Sequence, residues 1–150
     1  MAKRYCKTDT RGVVAQIARI REQTNLLIER ELRDRSIAGI VPAHGSVLNF
    51  LFRQSKPVPI KAVVEKVRRV KSTVTAVINT LQRHGYVRKT PCRIDNRVTY
   101  VELTTRGRRL HRDYDDISRL LLKRFYGDMN ENDRARLVRQ LEQIEKNLRA

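Results

Sequence analysis

A chain of 150 residues has the length of one domain and can bury roughly two thirds of the surface it exposes when unfolded, so a single unit over 1–150 with a real core is expected. Its 33 Lys and Arg against 16 Asp and Glu give a formal charge of +17, which points to a polyanionic partner. Aromatic residues make up only 5%, too few for a basic helix lying on lipid, and the longest uncharged run, 36–52, is interrupted by Gly39, Pro42 and Gly45. The basic start MAKRYCKTDTRG has no apolar stretch behind it, and Cys6 and Cys92 form no disulfide framework. A cytoplasmic protein without a membrane partner is therefore expected.

Residues 1–10 are polar and charged and read as an arm, either disordered or reaching toward a partner. From Arg11 to about Arg35 the apolar residues Val13, Ile17, Ile20, Leu27 and Ile28, with Thr24 in one place of the stripe, describe an amphipathic helix. Ser36–Val41 is a connection, and Pro42 or Ala43 opens a helix that buries Val47, Leu48, Leu51 and Phe52. The prolines between Ser55 and Pro59 break it. Ile60–Val67 is a short helix with Ile60, Val63, Val64 and Val67 inward, and Arg68–Lys71 is long enough only for a tight turn.

The next helix, Ser72 to His84, has Ser72 as its expected cap and Val74, Val77, Ile78 and Leu81 on one face. Its other face carries Lys71, Thr73, Thr75, Ala76, Asn79, Thr80 and Arg83, with no carboxylate, and so can lie against phosphates and base edges. Gly85 ends the helix. Tyr86–Thr90 and Val98–Leu103 read as strands around the loop Pro91–Arg97, a basic wing. Two helices joined so tightly form a helix-turn-helix whose second member enters the major groove. Thr104 then caps a long helix carrying Leu110, Tyr114, Ile117, Leu121 and Phe125, closed by Gly127. Asn130 with Asp133 opens a last helix with Leu137, Leu141, Ile144 and Leu148 at heptad spacing. The charge sits where the motif sits: Arg53–Arg112 holds sixteen Lys and Arg against Glu65, Asp95 and Glu102, a net +13 that leaves +4 for the rest of the chain.

The run KAVVEKVRRVKSTVTAVINTLQRHGYVRK, the wing residues DNR and the following LTTRG resemble, in order and spacing, the MarR family of winged helix-turn-helix transcription regulators. The resemblance extends over residues 12–149. Arg68 and Arg69 depart from it, standing where the family often has glycine or a small polar residue. It implies a mainly α fold with a small β-hairpin wing, a DNA-binding lobe over 42–103, and dimerisation helices over 11–35 and 104–150. The first and last helices of that family intertwine two protomers, which implies a homodimer interface through Val13, Ile17, Ile20, Leu137, Leu141, Ile144 and Leu148. Family members commonly bind small phenolic or anionic effectors between the dimer helices and the winged lobe; the corresponding wall here includes Ile17, His44, Val47, Leu48 and Tyr114, residues that plain core packing also explains. Some relatives sense oxidants through a cysteine near the first helix. Cys6 is near that place, and Lys3, Arg4 and Lys7 would favour its thiolate.

No Gly-rich phosphate loop or nucleophile elbow is present, and His44, His84 and His111 stand apart without metal-ligand spacing. Neither an enzyme, a metal site nor a cofactor is expected. The residues favour a homodimer that reads a pseudo-palindromic duplex of DNA. Ser72, Thr73, Thr75, Ala76, Asn79 and Arg83 lie nearest bases or phosphate with Lys71, while Arg93 and Arg97 reach from the wing and Asp95 orients Arg97. A nonspecific architectural nucleic-acid binder is the alternative; a helical adaptor for other proteins would leave the charge unexplained.

Overall fold

The computed structural model describes residues 10–149. A 3-10 turn, Thr10–Gly12, leads into α1, Val13–Asp34. The chain leaves α1 where the Arg35 N–H returns to the Glu31 carbonyl at 3.2 Å and Ser36 takes a positive φ of 55°. A second 3-10 turn, Pro42–His44, runs straight into α2, Gly45–Phe52. The strand β1, Val58–Pro59, precedes α3, Ile60–Val67, and α4, Lys71–Arg83. The hairpin of β2, Val87–Pro91, and β3, Thr99–Leu103, is followed by α5, Thr105–Tyr126, and α6, Glu131–Leu148. The expected mainly α fold with a β wing is the observed one.

Two caps read from the sequence are formed. Thr104 accepts from the Gly107 N–H at 3.1 Å at the head of α5, and Asn130 accepts from the Asp133 N–H at 3.0 Å at the head of α6. Gly127, at φ 48°, ends α5 as its spacing required. The break expected at 55–59 does more than break. Val58 and Pro59 pair antiparallel with Val101 and Tyr100, so among the described residues the sheet has three strands in the order β1-β3-β2. Two residues are too short a run for alternation to show, and their partners lie some forty residues away.

One core joins α2, α3, α4, the sheet and the near end of α5: Val47, Leu48, Leu51, Val63, Val74, Ile78, Leu81, Val87, Val101, Leu110 and Ile117 are all buried. Only the last turns of α1 enter it, through Leu32 and the half-buried Ile28. The apolar stripes of α1 and α5 continue past this core into solvent. Val13, Ile17 and Ile20 on α1, Phe125 on α5 and Leu141, Ile144 and Leu148 on α6 are exposed, and α6 has no buried residue. Val13, Ile17, Ile20, Phe125, Leu137, Leu141 and Ile144 line a single groove between α1 and the end of the chain.

Candidate nucleic-acid interface

The turn between α3 and α4 is set by Arg68, which adopts φ 53° and ψ 41°, with its N–H bonded to the Val64 carbonyl at 3.1 Å. This left-handed conformation is the one glycine takes at least cost, so the chain keeps the turn geometry and adds a cation there. Val70 is extended and its carbonyl accepts from the Val74 N–H at 3.1 Å, which starts α4 at Lys71. The expectation of a Ser72 cap is corrected by this geometry. Ser72 is already inside the first turn, no side chain caps the helix, and the last helical residue is Arg83 with His84 as the C-cap.

Helical rotation then sorts the residues of α4. Val74, Val77, Ile78 and Leu81 are buried, and Ser72, Ala76, Asn79 and Arg83, at intervals of four, three and four, occupy the exposed arc directly opposite. Lys71 and Thr73 are also exposed, whereas Thr75 and Thr80 are half-buried at the margins. Thr75 is thus a flank residue rather than part of the fully solvated arc. Arg83 donates to the Thr80 hydroxyl at 3.1 Å, and Asn79 Oδ1 accepts from Lys89 Nζ at 2.8 Å. Lys89 was not among the residues singled out by pattern, because its partner is ten residues away on another element.

The wing is internally braced. Cys92 N–H donates to the Val98 carbonyl at 2.9 Å, Val98 N–H to the Asp95 carbonyl at 3.0 Å, and Asp95 Oδ1 accepts from both the Arg97 N–H at 3.0 Å and Arg97 Nε at 3.2 Å. The expected Asp95–Arg97 pair is therefore present, with the Arg97 side chain 93% exposed. Arg93 is exposed on the same loop and Ile94 stands at its tip, 98% exposed. At the base of the hairpin Glu102 is held by Arg88 at 2.6 Å. Two of the lobe's three carboxylates are thus neutralised by neighbours, and cations dominate what a polyanion would meet.

The reading head is tied to the remaining helices at the end of α4. Gly85, at φ 76°, turns the chain; Thr104 donates its hydroxyl hydrogen to the Gly85 carbonyl at 2.6 Å, and Tyr86 donates to the Ala38 carbonyl at 2.6 Å. Gly107 packs so closely on the Tyr86 carbonyl that a β-carbon there would stand 2.1 Å from its oxygen. The Arg106 guanidinium lies over the Tyr86 ring, 4.8 Å from its centroid.

The residues assigned to an effector wall differ in burial. His44, Val47, Leu48 and Tyr114 are buried in the core, whereas Ile17 is exposed and lines the α1–α6 groove. His44 Nδ1 accepts from the Val41 N–H at 3.3 Å; burial, and then the charge of His84, lower its pKa. Burial pushes the Tyr114 phenol up to about 12, so it stays protonated. Cys6 and the arm before Thr10 lie outside the described residues. Among the described residues no group of three His, Cys, Asp or Glu is placed to hold a metal, and no helix is long and apolar enough to cross a membrane.

Residues 42–107 match the family model described as a winged helix DNA-binding domain. No curated protein matches the chain by sequence. Solved structures share the fold along nearly the whole chain. A MarR transcriptional regulator from Methanosarcina mazei superposes with a TM-score of 0.74 at 20% identity, covering 92% of this chain and 96% of its own. PcaV from Streptomyces coelicolor, solved with its natural ligand, gives 0.77 at 22% identity over 97% and 98%. FabT from Streptococcus pneumoniae, solved in complex with DNA, gives 0.74 at 21% identity over 94% and 98%.

Proposed function

We propose that this chain, which carries a winged helix DNA-binding domain within the fold of MarR regulators, is a transcription regulator that represses by binding a pseudo-palindromic operator as a homodimer. The observation that carries the reading is the exposed arc Ser72, Ala76, Asn79 and Arg83. It is free of carboxylates, lies opposite a buried face and stands in one lobe with a wing whose Arg97 is already oriented by Asp95. In this assignment the arc enters the major groove with Lys71, Thr73 and Thr75 at its edges, and Arg93 and Arg97 straddle the flanking minor groove.

The homodimer is supported by the overhanging stripes. Val13, Ile17, Ile20, Leu141, Ile144 and Leu148 are exposed and Leu137 is half-buried among the described residues, and a two-fold partner would bury all of them at once. A two-fold axis also supplies two reading heads, the requirement for a pseudo-palindrome. Release by a small molecule is the remaining part of the reading. PcaV with its natural ligand and BpsR of Bordetella bronchiseptica, regulated by 6-hydroxynicotinic acid, support it by analogy of fold.

The test is selection of genomic duplexes bound by the full chain, followed by sedimentation of the complex. The reading expects a motif with two inverted half-sites and two protomers per duplex. Binding without sequence preference would favour the architectural alternative. A library of small aromatic acids added to the complex should then contain releasing compounds; none releasing would leave the repressor without an effector of that class.

A further inference from the structure

Resting on the proposed reading of DNA by α4, we infer that Lys89 fixes the polarity of Asn79, making this residue a pure hydrogen-bond donor that selects guanine in each half-site. Val87 and Lys89 lie on the same face of β2, the one turned toward the core; Val87 is buried, Lys89 is half-buried, and Lys89 stands opposite the fully buried Val101 in the sheet register. Its half-buried stem therefore runs on the core-facing side of the sheet, and its ammonium emerges beside α4. There Nζ meets Asn79 Oδ1 at 2.8 Å.

Chemistry decides which way the amide points. A lysine ammonium has three donors and no acceptor, so only the carbonyl branch of Asn79 can face it. The amide nitrogen, on the other branch, has no partner among the described residues, and Asn79 belongs to the exposed arc of α4. A free asparagine reads adenine in the major groove with one donor and one acceptor, to N7 and N6. With its acceptor turned back toward β2, Asn79 offers only N–H groups. Guanine alone presents two adjacent acceptors, N7 and O6, and the second and third Lys89 protons remain available to the same edge or to the neighbouring phosphate. Lys89 acts here as a positioning residue.

The experiment selects binding sites from a randomised duplex pool with the full-length wild type, Lys89→Met, Lys89→Arg and Asn79→Ala. Lys89→Met keeps the packed stem and removes the donor; melting curves of all four proteins confirm the fold. The wild type and Lys89→Arg should select guanine at one position of each half-site, and 7-deazaguanine there should weaken wild-type binding by roughly tenfold, within the range of a bidentate contact. Asn79→Ala should lose preference at that position and nowhere else. Lys89→Met should move the preference at that position to adenine. A wild-type motif with adenine at the position relaxed by Asn79→Ala, or identical motifs for wild type and Lys89→Met, overturns the inference and leaves the regulator intact. A wild type that selects no motif overturns both.

Discussion

Removal of the wing arginine separates holding from reading. In the proposed dimer Arg97→Ala deletes one cation from each of two wings. Its side chain is 93% exposed, so the change touches no core contact, and protein stability should move by less than about 0.5 kcal/mol. On DNA each lost phosphate contact should lower the slope of log affinity against log salt by roughly 0.9, or roughly 1.8 for two wings. Between 50 and 200 mM salt the wild type should then lose roughly tenfold more affinity than the variant. Asp95→Ala leaves the charge and removes the acceptor that holds both Arg97 N–H groups at 3.0 and 3.2 Å. The slope should stay, while affinity falls by about 0.5 kcal/mol per exposed pair, roughly fivefold for the dimer. Fluorescence anisotropy with the selected operator over a salt series measures both. Parallel lines for wild type and Arg97→Ala would refute the phosphate role of the wing. An Asp95→Ala line flattened as much as that of Arg97→Ala would refute the orienting role of Asp95.

The remaining predictions concern assembly and stability. Leu141→Glu with Ile144→Glu should cost several kcal/mol of association by burying unpaired carboxylates in the dimer, so that a wild-type dimer in sedimentation becomes a monomer or unfolds; a monomeric wild type at micromolar concentration contradicts the interface. Gly107→Ala forces a β-carbon against the Tyr86 carbonyl oxygen and should lower stability by about 1–3 kcal/mol in urea unfolding, with an unchanged midpoint counting against the close contact. His44 is held neutral by burial, so below its ordinary pKa of 6.5 the unfolded chain takes up a proton that the folded chain resists. Stability should therefore fall as pH drops from 6.5 toward the lowered folded pKa and be unaffected by this group above 6.5. Melting at pH 7.5 and 5.5 should show a smaller difference in His44→Leu than in wild type, and equal differences would refute the assignment.

The residues that were legible in the sequence are those whose partners are local. Val74, Val77, Ile78 and Leu81 define the buried face of α4 by period alone, and Thr104 and Asn130 cap helices three residues ahead of the N–H groups they satisfy. Gly85 and the Asp95–Arg97 pair are equally local. Ser72 misled because a cap is a backbone state before it is a residue type, and here Val70 holds that state. The β1 strand, the αL turn at Arg68 and the Lys89–Asn79 bond depend on contacts or dihedrals that no short window displays. Periodicity also cannot name what a stripe packs on. Leu32 and Ile17 lie on one helix, yet the first is in the core and the second overhangs it.

The central claim is that α4 reads sequence while the wing and the surrounding charge supply grip. Its most direct measurement is the affinity of wild type and Ala76→Asp for the selected operator and for a random duplex of equal length, at 150 mM salt. Ala76 is exposed in the middle of the arc, so the aspartate should leave folding and assembly intact, as melting and sedimentation would verify. The account predicts that the wild type binds its operator at least about a thousandfold more tightly than random duplex, and that Ala76→Asp brings the two affinities together. Equal wild-type affinity for both duplexes, or full operator discrimination by Ala76→Asp, would contradict it.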